Sequence, residues 1–280
     1  MVRTPSRIET DTEVMDIEFP TPPTNLPYDD GEPLETPKHR FSMNALISAC
    51  EYYLSQQNLD FYCGGNMFLY YSEAQVKNQD FRGPDFFLVL DVEGENQRNR
   101  KYWAIWEEGG RYPDVIIELM SESTAKIDTT TKKKLYERTF RTRDYFVYDP
   151  YKPSSLQGWS LDSTLTYQPL EANERGWLWC ETLGLWLGSW EGEIQRKPGV
   201  WLRFYDPEGH LVLLPEEAER VEREKESQRA EQERQRAEQE RQRAEQEKQR
   251  AEQERQRAQA IEAENERLRA LLQQQGIDFK

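Results

Sequence analysis

Two carboxylates, Asp85 and Glu118, lie in apolar segments of the sequence, where a charge is costly unless it is paired or binds a cation. Asp85 follows a proline and opens the largely apolar run 86–92. Glu118 interrupts a second apolar run, 115–120, which also begins after a Pro-Asp pair. If these runs form neighbouring strands, the two carboxylates converge into a hard oxygen site suited to Mg²⁺ or Mn²⁺. Such a metal supports phosphodiester hydrolysis, because it polarises the phosphate and lowers the pKa of the attacking water.

Each carboxylate also has an ordinary structural explanation. Glu118 could pair with a buried arginine or emerge at the end of its strand, and Asp85 could be a turn residue that precedes a strand. Because strand side chains alternate, Asp114, Ile116 and Glu118 point to one face of their strand. Asp114 is therefore a further candidate, either as a metal ligand or in support of one.

A lysine completes this candidate site. Lys132 lies four residues after Asp128, in a segment with helical spacing, and can reach back to the edge of the sheet. Its ammonium would orient the water or stabilise charge on the phosphate. Tyr136 lies one turn later on the same face. A solvated lysine within a lysine-rich run is the alternative explanation, and Lys126 is a second candidate for the same role.

Strands and a helix must position these residues, and the sequence indicates both. Short apolar runs at 86–92, 115–120 and 145–148 are typical of central strands that are covered on both faces. A helical stretch over 129–141 connects the last two runs. Strand, helix and strand in this order predict a crossover in a mixed sheet, and strand-rich sequence continues to about residue 214.

The region before this sheet has two parts. Residues 1–37 are acidic and rich in proline without any periodicity, which predicts a disordered arm. Helical spacing over 43–56 predicts a first helix, with Ser42 as its N-cap. The central domain is therefore expected to span 38–214.

The last segment, 215–280, contains near-identical AEQERQR units followed by a more apolar end. Alanine recurs every seven residues among strong helix formers. With alanine at heptad position a, the d positions of the repeats are glutamates, which predicts a solvated helix rather than a zipper. The same frame then continues with apolar groups and one asparagine, which predicts a short dimer-forming coiled coil: Ala258, Ile261, Asn265, Leu268 and Leu272.

Composition excludes several classes of site. The formal net charge of −15 argues against nucleic-acid binding unless a local basic patch exists. Three cysteines without a CxxC pair and two histidines argue against a disulfide framework, a zinc site or histidine catalysis. We expect a cytoplasmic protein without membrane contact, because no apolar run reaches about 18–20 residues and the N-terminus has no apolar signal core.

The combination of motifs resembles the Uma-two (Uma2) family of the PD-(D/E)XK nuclease superfamily. The resemblance rests on Asp85 after its proline, on PDVIIELMSEST at 113–124, on Asp128, Lys132 and Tyr136, and on DYFVYDP at 144–150. It spans about 41–207 and implies a restriction-endonuclease-like α/β fold with a mixed central sheet flanked by helices. It also implies Mg²⁺- or Mn²⁺-dependent hydrolysis of DNA. We further expect a homodimer, formed through the nuclease domain or the C-terminal coiled coil.

One position departs from the superfamily pattern. The two residues after Glu118 are apolar, so the lysine of the expected Glu-x-Lys motif is missing. The resemblance assigns Lys132 as its migrated replacement and Asp85 and Glu118 as metal ligands. The superfamily often has a carboxylate on the first helix near the metal. Glu51 is the candidate here, although it could equally be a surface residue.

Two other functions fit the same residues. The acidic balance and the missing motif lysine favour a catalytically inactive, nuclease-like scaffold that assembles through its C-terminal coiled coil. A nuclease that acts on RNA or on branched DNA would use the same metal chemistry. The sequence therefore does not separate these substrates from ordinary DNA.

Overall fold

A six-stranded mixed sheet forms the centre of the computed structural model, which describes residues 23, 26–27, 36–57, 59–77, 83–92 and 100–274. The strands of the fold are β1 (Phe61–Gly64), β2 (Leu69–Tyr70), β3 (Phe86–Leu90), β4 (Trp103–Ala104), β5 (Val115–Leu119), β6 (Asp144–Asp149), β7 (Lys152–Leu161), β8 (Tyr167–Pro169), β9 (Leu178–Cys180), β10 (Leu185–Ile194) and β11 (Lys197–Tyr205). The central sheet has the order β1-β3-β5-β6-β7-β8. Its β5 and β6 pair in parallel, whereas its other neighbours are antiparallel. The predicted α/β class with a mixed central sheet is confirmed.

The described chain also forms helices and two smaller sheets. The helices are α1 (Pro37–Ser55), α2 (Glu73–Lys77), α3 (Ala125–Ile127), α4 (Lys133–Leu135) and α5 (Pro215–Gln274). Strands β2 and β4 form a parallel pair, and β11, β10 and β9 form an antiparallel sheet in that order.

The central strands separate two apolar cores. One core lies between the sheet, α1 and the β9–β11 sheet, and the other lies between the sheet and the helical segment 125–140. Val115 and Ile117 of β5 enter the first core, and Ile116 enters the second. Because side chains alternate along a strand, Glu118 faces the same side as Ile116. Its carboxylate therefore points toward the helical segment.

The helical segment 125–140 makes the predicted crossover from β5 to β6. It alternates α3 and α4 with two π turns, Asp128–Lys132 and Tyr136–Phe140, and begins four residues before the predicted start. A spacing of four residues is slightly longer than one turn of an α-helix and shorter than one turn of the wider π-helix. The alternation therefore keeps residues spaced by four on one line, and Asp128, Tyr136 and Phe140 are all buried.

Helix α1 begins earlier than its predicted start at residue 43. Thr36 is the N-cap, and its Oγ1 accepts a hydrogen bond from the His39 N–H at 3.3 Å. Pro37 occupies the first turn, where its fixed φ suits the helix and its missing N–H costs nothing. The predicted cap, Ser42, is instead a buried residue inside the helix.

Most of the predicted arm lies outside the described residues, but two of its residues pack on the fold. Leu26 is 5% exposed and lies in a small core with Phe68 and Tyr70. The Tyr70 hydroxyl donates to the carbonyl oxygen of Pro27 at 2.5 Å. This part of the predicted arm is therefore ordered against the domain.

Residues 216–280 form a compact unit separate from 1–215. Within this unit α5 is a continuous helix whose side chains are exposed from residue 222 to 271. Among the described helices, none combines the length and the apolar character that a membrane span requires.

Candidate active site

Asp85 and Glu118 meet at one end of the sheet because β3 and β5 are antiparallel. Phe86 pairs with Ile117, so Asp85, which precedes β3, lies beside Glu118, which follows Ile117. The backbone N–H of Leu119 donates to Asp85 Oδ2 at 2.7 Å. The structure thus brings together the two carboxylates that the sequence singles out.

The turn after β1 holds the backbone of Asp85 in place. The N–H of Asn66 donates to the carbonyl oxygen of Pro84 at 2.8 Å. A Cβ on Gly65 would lie 2.1 Å from the carbonyl oxygen of Asp85, which is closer than side chains allow. Glycine at this position therefore permits the close approach that fixes Asp85.

Glu118 is held by two side chains of the helical segment. Its carboxylate is buried, with the residue 1% exposed. The Tyr136 hydroxyl donates to Glu118 Oε1 at 2.7 Å, and Lys132 Nζ lies 3.0 Å from Glu118 Oε2. The predicted Lys132 and Tyr136 therefore both reach the sheet, because they lie on the line of residues spaced by four.

Asp128, to which no role is predicted from the sequence, completes this group. Its Oδ1 lies 2.9 Å from Lys132 Nζ, so the ammonium bridges Asp128 and Glu118. The Tyr145 hydroxyl donates to the Asp128 backbone carbonyl at 2.9 Å and ties the first π turn to β6. The four-residue spacing between Asp128 and Lys132 was the available sequence signal for this pairing.

Burial and like charge raise the pKa of both strand carboxylates. Burial is the largest cause for Asp85, followed by the charge of Glu118. Burial also raises the pKa of Glu118, against the opposing effects of Lys132 and the Tyr136 hydrogen bond. For Lys132 burial disfavours the ammonium, but the charges of Glu118 and Asp128 raise its pKa overall. Lys132 is therefore charged at neutral pH.

The oxygens of Asp85 and Glu118 fit a divalent cation. Asp85 Oδ2 accepts the Leu119 N–H, whereas Oδ1 accepts no hydrogen bond from the described residues. Each oxygen of Glu118 has one partner and a second lone pair. Two adjacent carboxylates with free lone pairs form the hard oxygen set that Mg²⁺ and Mn²⁺ prefer.

Asp114 does not join this group. It stands at the opposite end of β5 from Glu118, about 13 Å away for four strand residues. There its Oδ2 accepts the Leu90 N–H at 2.9 Å, with Arg111 at 3.7 Å. Strand alternation predicted that Asp114 shares a face with Glu118, but the structure places Asp114 outside the candidate site.

Glu51 and Lys126 also lie apart from the group. Glu51 is an exposed residue of α1, and partial burial of its carboxyl raises its pKa. The electrostatic effect of Glu51 falls on Tyr62 and Cys63 of β1. Lys126 is exposed at the start of the helical segment, while Lys132 holds the position between the carboxylates.

A buried histidine borders the candidate site. His39 Nε2 lies 3.2 Å from the carbonyl oxygen of Met120, and Nδ1 lies 2.8 Å from Thr36 Oγ1. These contacts fasten the start of α1 to the chain just beyond β5. His39 therefore positions an element rather than a reacting atom.

A second acidic group lies in the exposed turn after β11. Asp206, Glu208 and His210 have ligand atoms within 4.8 Å of one another. The hydrogen bonds of the turn explain this arrangement, since the His210 N–H donates to Asp206 Oδ1 at 2.8 Å. Its exposure distinguishes it from the site formed by the partly buried Asp85 and the buried Glu118.

A comparison with protein families identifies a match over most of the domain that contains the candidate site. The model of the Uma2 family, described as "Putative restriction endonuclease", matches residues 13–190, which is more than half of the chain. The matched region contains Asp85, Glu118, Asp128 and Lys132 and excludes α5. No curated protein matches the chain.

Proposed function

Because the chain belongs to the Uma2 family, we propose that it is a metal-dependent endonuclease that hydrolyses the phosphodiester bonds of DNA. The family itself suggests nuclease activity. The observation that carries the finer proposal is the bridge that Lys132 makes between Glu118 and Asp128, beside the carboxylate of Asp85. Two carboxylates and a lysine in one group are the residue types that this reaction needs.

The proposal gives each side chain a separate task. Asp85 and Glu118 would hold Mg²⁺ or Mn²⁺ through carboxylate oxygens. When bound, the cation supplies a Lewis acid for the phosphate and a more acidic water. The Lys132 ammonium has three N–H donors. Two of them would be directed at the carboxylates of Glu118 and Asp128, and the third would be available to a water or a phosphate oxygen. Tyr136 orients Glu118, and Asp128 orients Lys132.

A cationic stripe on the outer face of the helical segment supports nucleic acid as the substrate. Lys126, Thr130, Lys134 and Arg138 are spaced by four and all exposed, on the face opposite the buried line of Asp128 and Tyr136. Residues 126–143 contain seven lysines and arginines against two acidic residues. Exposed cations in such a row suit the regularly spaced phosphates of a nucleic acid.

The acidic total of the chain is compatible with this stripe because the charge is unevenly distributed. Residues 1–37 contain nine acidic residues and two basic ones, so they carry about half of the net charge of −15. The local field of the stripe matters more for phosphate binding than the total, since exposed charges are screened over about 8–10 Å.

The proposal is tested by cleavage of supercoiled plasmid by the purified protein in Mg²⁺ or Mn²⁺. Glu118→Gln and Lys132→Gln should each reduce the nicking rate by at least about 100-fold, because each removes a charge from the reacting group. Lys197→Gln is the matched control, since it removes an exposed lysine at the start of β11, outside the cationic stripe. Metal-independent nicking, or nicking that survives in both site variants, would contradict the proposed active site.

The same assay separates the competing functions. If the protein is active but prefers RNA or junctions, the proposed active site would stand and the proposed substrate would have to be changed. Inactivity of the wild type on every substrate would favour the scaffold. Removal of residues 216–280, which form a separate unit, adds a second criterion. A nuclease would keep its cleavage activity without them, whereas a scaffold would lose its means of assembly.

A further inference from the structure

The end of α5 carries exposed apolar side chains that the preceding turns lack. Ile261, Leu268 and Leu271 are 63%, 49% and 47% exposed, and they are three of the seven large hydrophobic residues exposed in the described part of the chain. Residues 222–257 contain no apolar side chain larger than alanine and are exposed throughout. A local apolar strip on a solvated helix indicates a binding surface.

Ile261 and Leu268 occupy d positions in the frame of a two-stranded coiled coil, and Leu271 lies beside them at position g. Positions a and d are Ala258, Ile261, Asn265, Leu268 and Leu272, with spacings that alternate between three and four residues. We name residues 258–272 the terminal seam. We propose that the terminal seam pairs, in parallel and in register, with the terminal seam of a second copy of this chain.

The charges beside the seam favour a second copy as the partner. In a parallel pair, position g of one helix lies beside position e of the following heptad in the other helix. Arg257 would therefore face Glu262, and Glu264 would face Arg269. Both pairs are of opposite sign, and the two-fold symmetry of the dimer makes each of them twice.

The same frame disfavours pairing upstream of the seam. The corresponding g and e residues of the repeats are both basic: Arg236 with Arg241, Arg243 with Lys248, and Arg250 with Arg255. The d positions of the repeats are glutamates, which would face one another in the dimer. The charge pattern thus changes from repulsive to attractive near residue 257, where the apolar residues begin.

Asn265 favours the parallel arrangement. In a parallel pair in register, position a faces position a, so the two Asn265 amides can hydrogen-bond to each other. In an antiparallel pair, position a faces position d, so Asn265 would meet Ile261 or Leu268 and lose its polar partner. This pairing is independent of the proposed chemistry, because every residue involved lies in α5.

Sedimentation equilibrium of the full chain over a concentration series tests the surface. We expect a reversible monomer–dimer equilibrium that the double variant Ile261→Ser with Leu268→Ser abolishes. Leu59→Ser, which changes a leucine that is 48% exposed elsewhere, should leave the dimer unchanged. A monomer at every concentration, or a dimer insensitive to the double variant, would overturn the proposal.

Charge exchange tests whether the partner is a second copy in this register. Glu264→Arg places two cations in contact and should weaken dimerisation. Adding Arg269→Glu restores opposite charges and should restore it. Failure of the second change to rescue the first would contradict the proposed g–e pairing, since the double variant keeps the same total charge as the wild type.

Cross-linking tests the orientation. Asn265→Cys should oxidise to a covalent dimer, because facing a positions are close in a parallel pair. Arg267→Cys, at the outward-facing position c, should cross-link much less. The native Cys50, Cys63 and Cys180 are buried and should give no intermolecular disulfide in either variant. Equal cross-linking by both variants would exclude the parallel register.

Discussion

Lys132 contacts two carboxylates that are themselves almost fully buried. A buried carboxylate without a partner is strongly disfavoured, so the lysine is needed for the fold as well as for the proposed reaction. Asp128 makes the arrangement specific, because it limits the positions that the ammonium can adopt. The position of Lys132 therefore depends on Asp128 as well as on Glu118.

Substitution of Asp128 tests this positioning role. Asp128→Asn keeps the shape of the side chain but removes the charge that holds Lys132. We expect the plasmid nicking rate to fall by about 10- to 100-fold, as is typical when a residue that orients a catalytic group is altered. Asp162→Asn, a change in an exposed turn, is the control. An unchanged rate in Asp128→Asn would show that Lys132 needs no second carboxylate.

Metal binding at Asp85 predicts a ligand-dependent gain in stability. A cation that binds only the folded protein at 100 times its dissociation constant stabilises it by about 2.7 kcal/mol. Thermal unfolding should therefore shift upward with Mn²⁺ in the wild type and not in Asp85→Asn. Asp114→Asn should retain the shift, because Asp114 lies at the opposite end of β5. Retention of the shift in Asp85→Asn would place the metal elsewhere, and its loss in Asp114→Asn would show that the effect is not specific to Asp85.

At the scale of elements, the turn between β1 and β2 controls the position of Asp85. Gly65→Ala would push a Cβ into the Asp85 carbonyl oxygen and against Ile47 and Met43 at 3.0 Å. We expect a loss of about 1–3 kcal/mol of stability from overpacking, and about 100-fold slower cleavage from displacement of Asp85. Urea denaturation and plasmid nicking measure the two effects.

Gly199→Ala is the matched control for this substitution. Gly199 lies in β11, and the nearest atoms to an added Cβ belong to Trp201 at an ordinary 3.5 Å. This variant should therefore retain both stability and cleavage. Equal effects of the two alanines would show that the crowding at Gly65 has no specific influence on the candidate site.

The sequence predicted those elements whose signal is local and strong. The apolar runs of β3, β5 and β6 identify buried strands, and the intervening helix implies the parallel pair β5 and β6. The predicted start of α1 was wrong because the Thr36-Pro37 cap lies in a proline-rich segment whose composition is typical of a disordered arm. The π turns were not predicted, because no side-chain pattern distinguishes them from α turns.

The sequence predicted the part of the candidate site that follows from strand pairing. It did not predict the parts that depend on how far apart residues lie in the folded chain. Once β3 and β5 are neighbours, antiparallel pairing brings Asp85 to Glu118. Alternation assigns Asp114 to the same face as Glu118, but it does not bring two residues at opposite ends of one strand together. Gly65 was not predicted at all, since its role arises from contact with a residue twenty positions later.

At the scale of the whole molecule, the distribution of charge decides whether an acidic chain can bind DNA. The net charge of −15 describes a sum over an acidic arm, a central domain and a helix of nearly balanced repeats. The cationic stripe is the part of this distribution that lies on the helical segment of the candidate site. DNA binding should therefore depend on a few local cations rather than on the total.

The salt dependence of binding measures this contribution. Each phosphate contact adds about −0.9 to the slope of log K against log [salt] for duplex DNA. Lys134→Gln with Arg138→Gln, in a Glu118→Gln background that prevents cleavage, should reduce the slope by about 2 and weaken binding to all sequences alike. Fluorescence anisotropy with a labelled duplex gives both quantities.

The control must change the total charge by the same amount at another place. Arg196→Gln with Lys197→Gln does so at two exposed residues where β10 turns into β11. If binding follows the stripe, this pair should leave the slope close to that of the parent. If both pairs reduce the slope equally, the net charge governs association and the stripe has no special role. Since the two pairs differ in location and not in charge, the comparison separates a local phosphate contact from a general electrostatic effect.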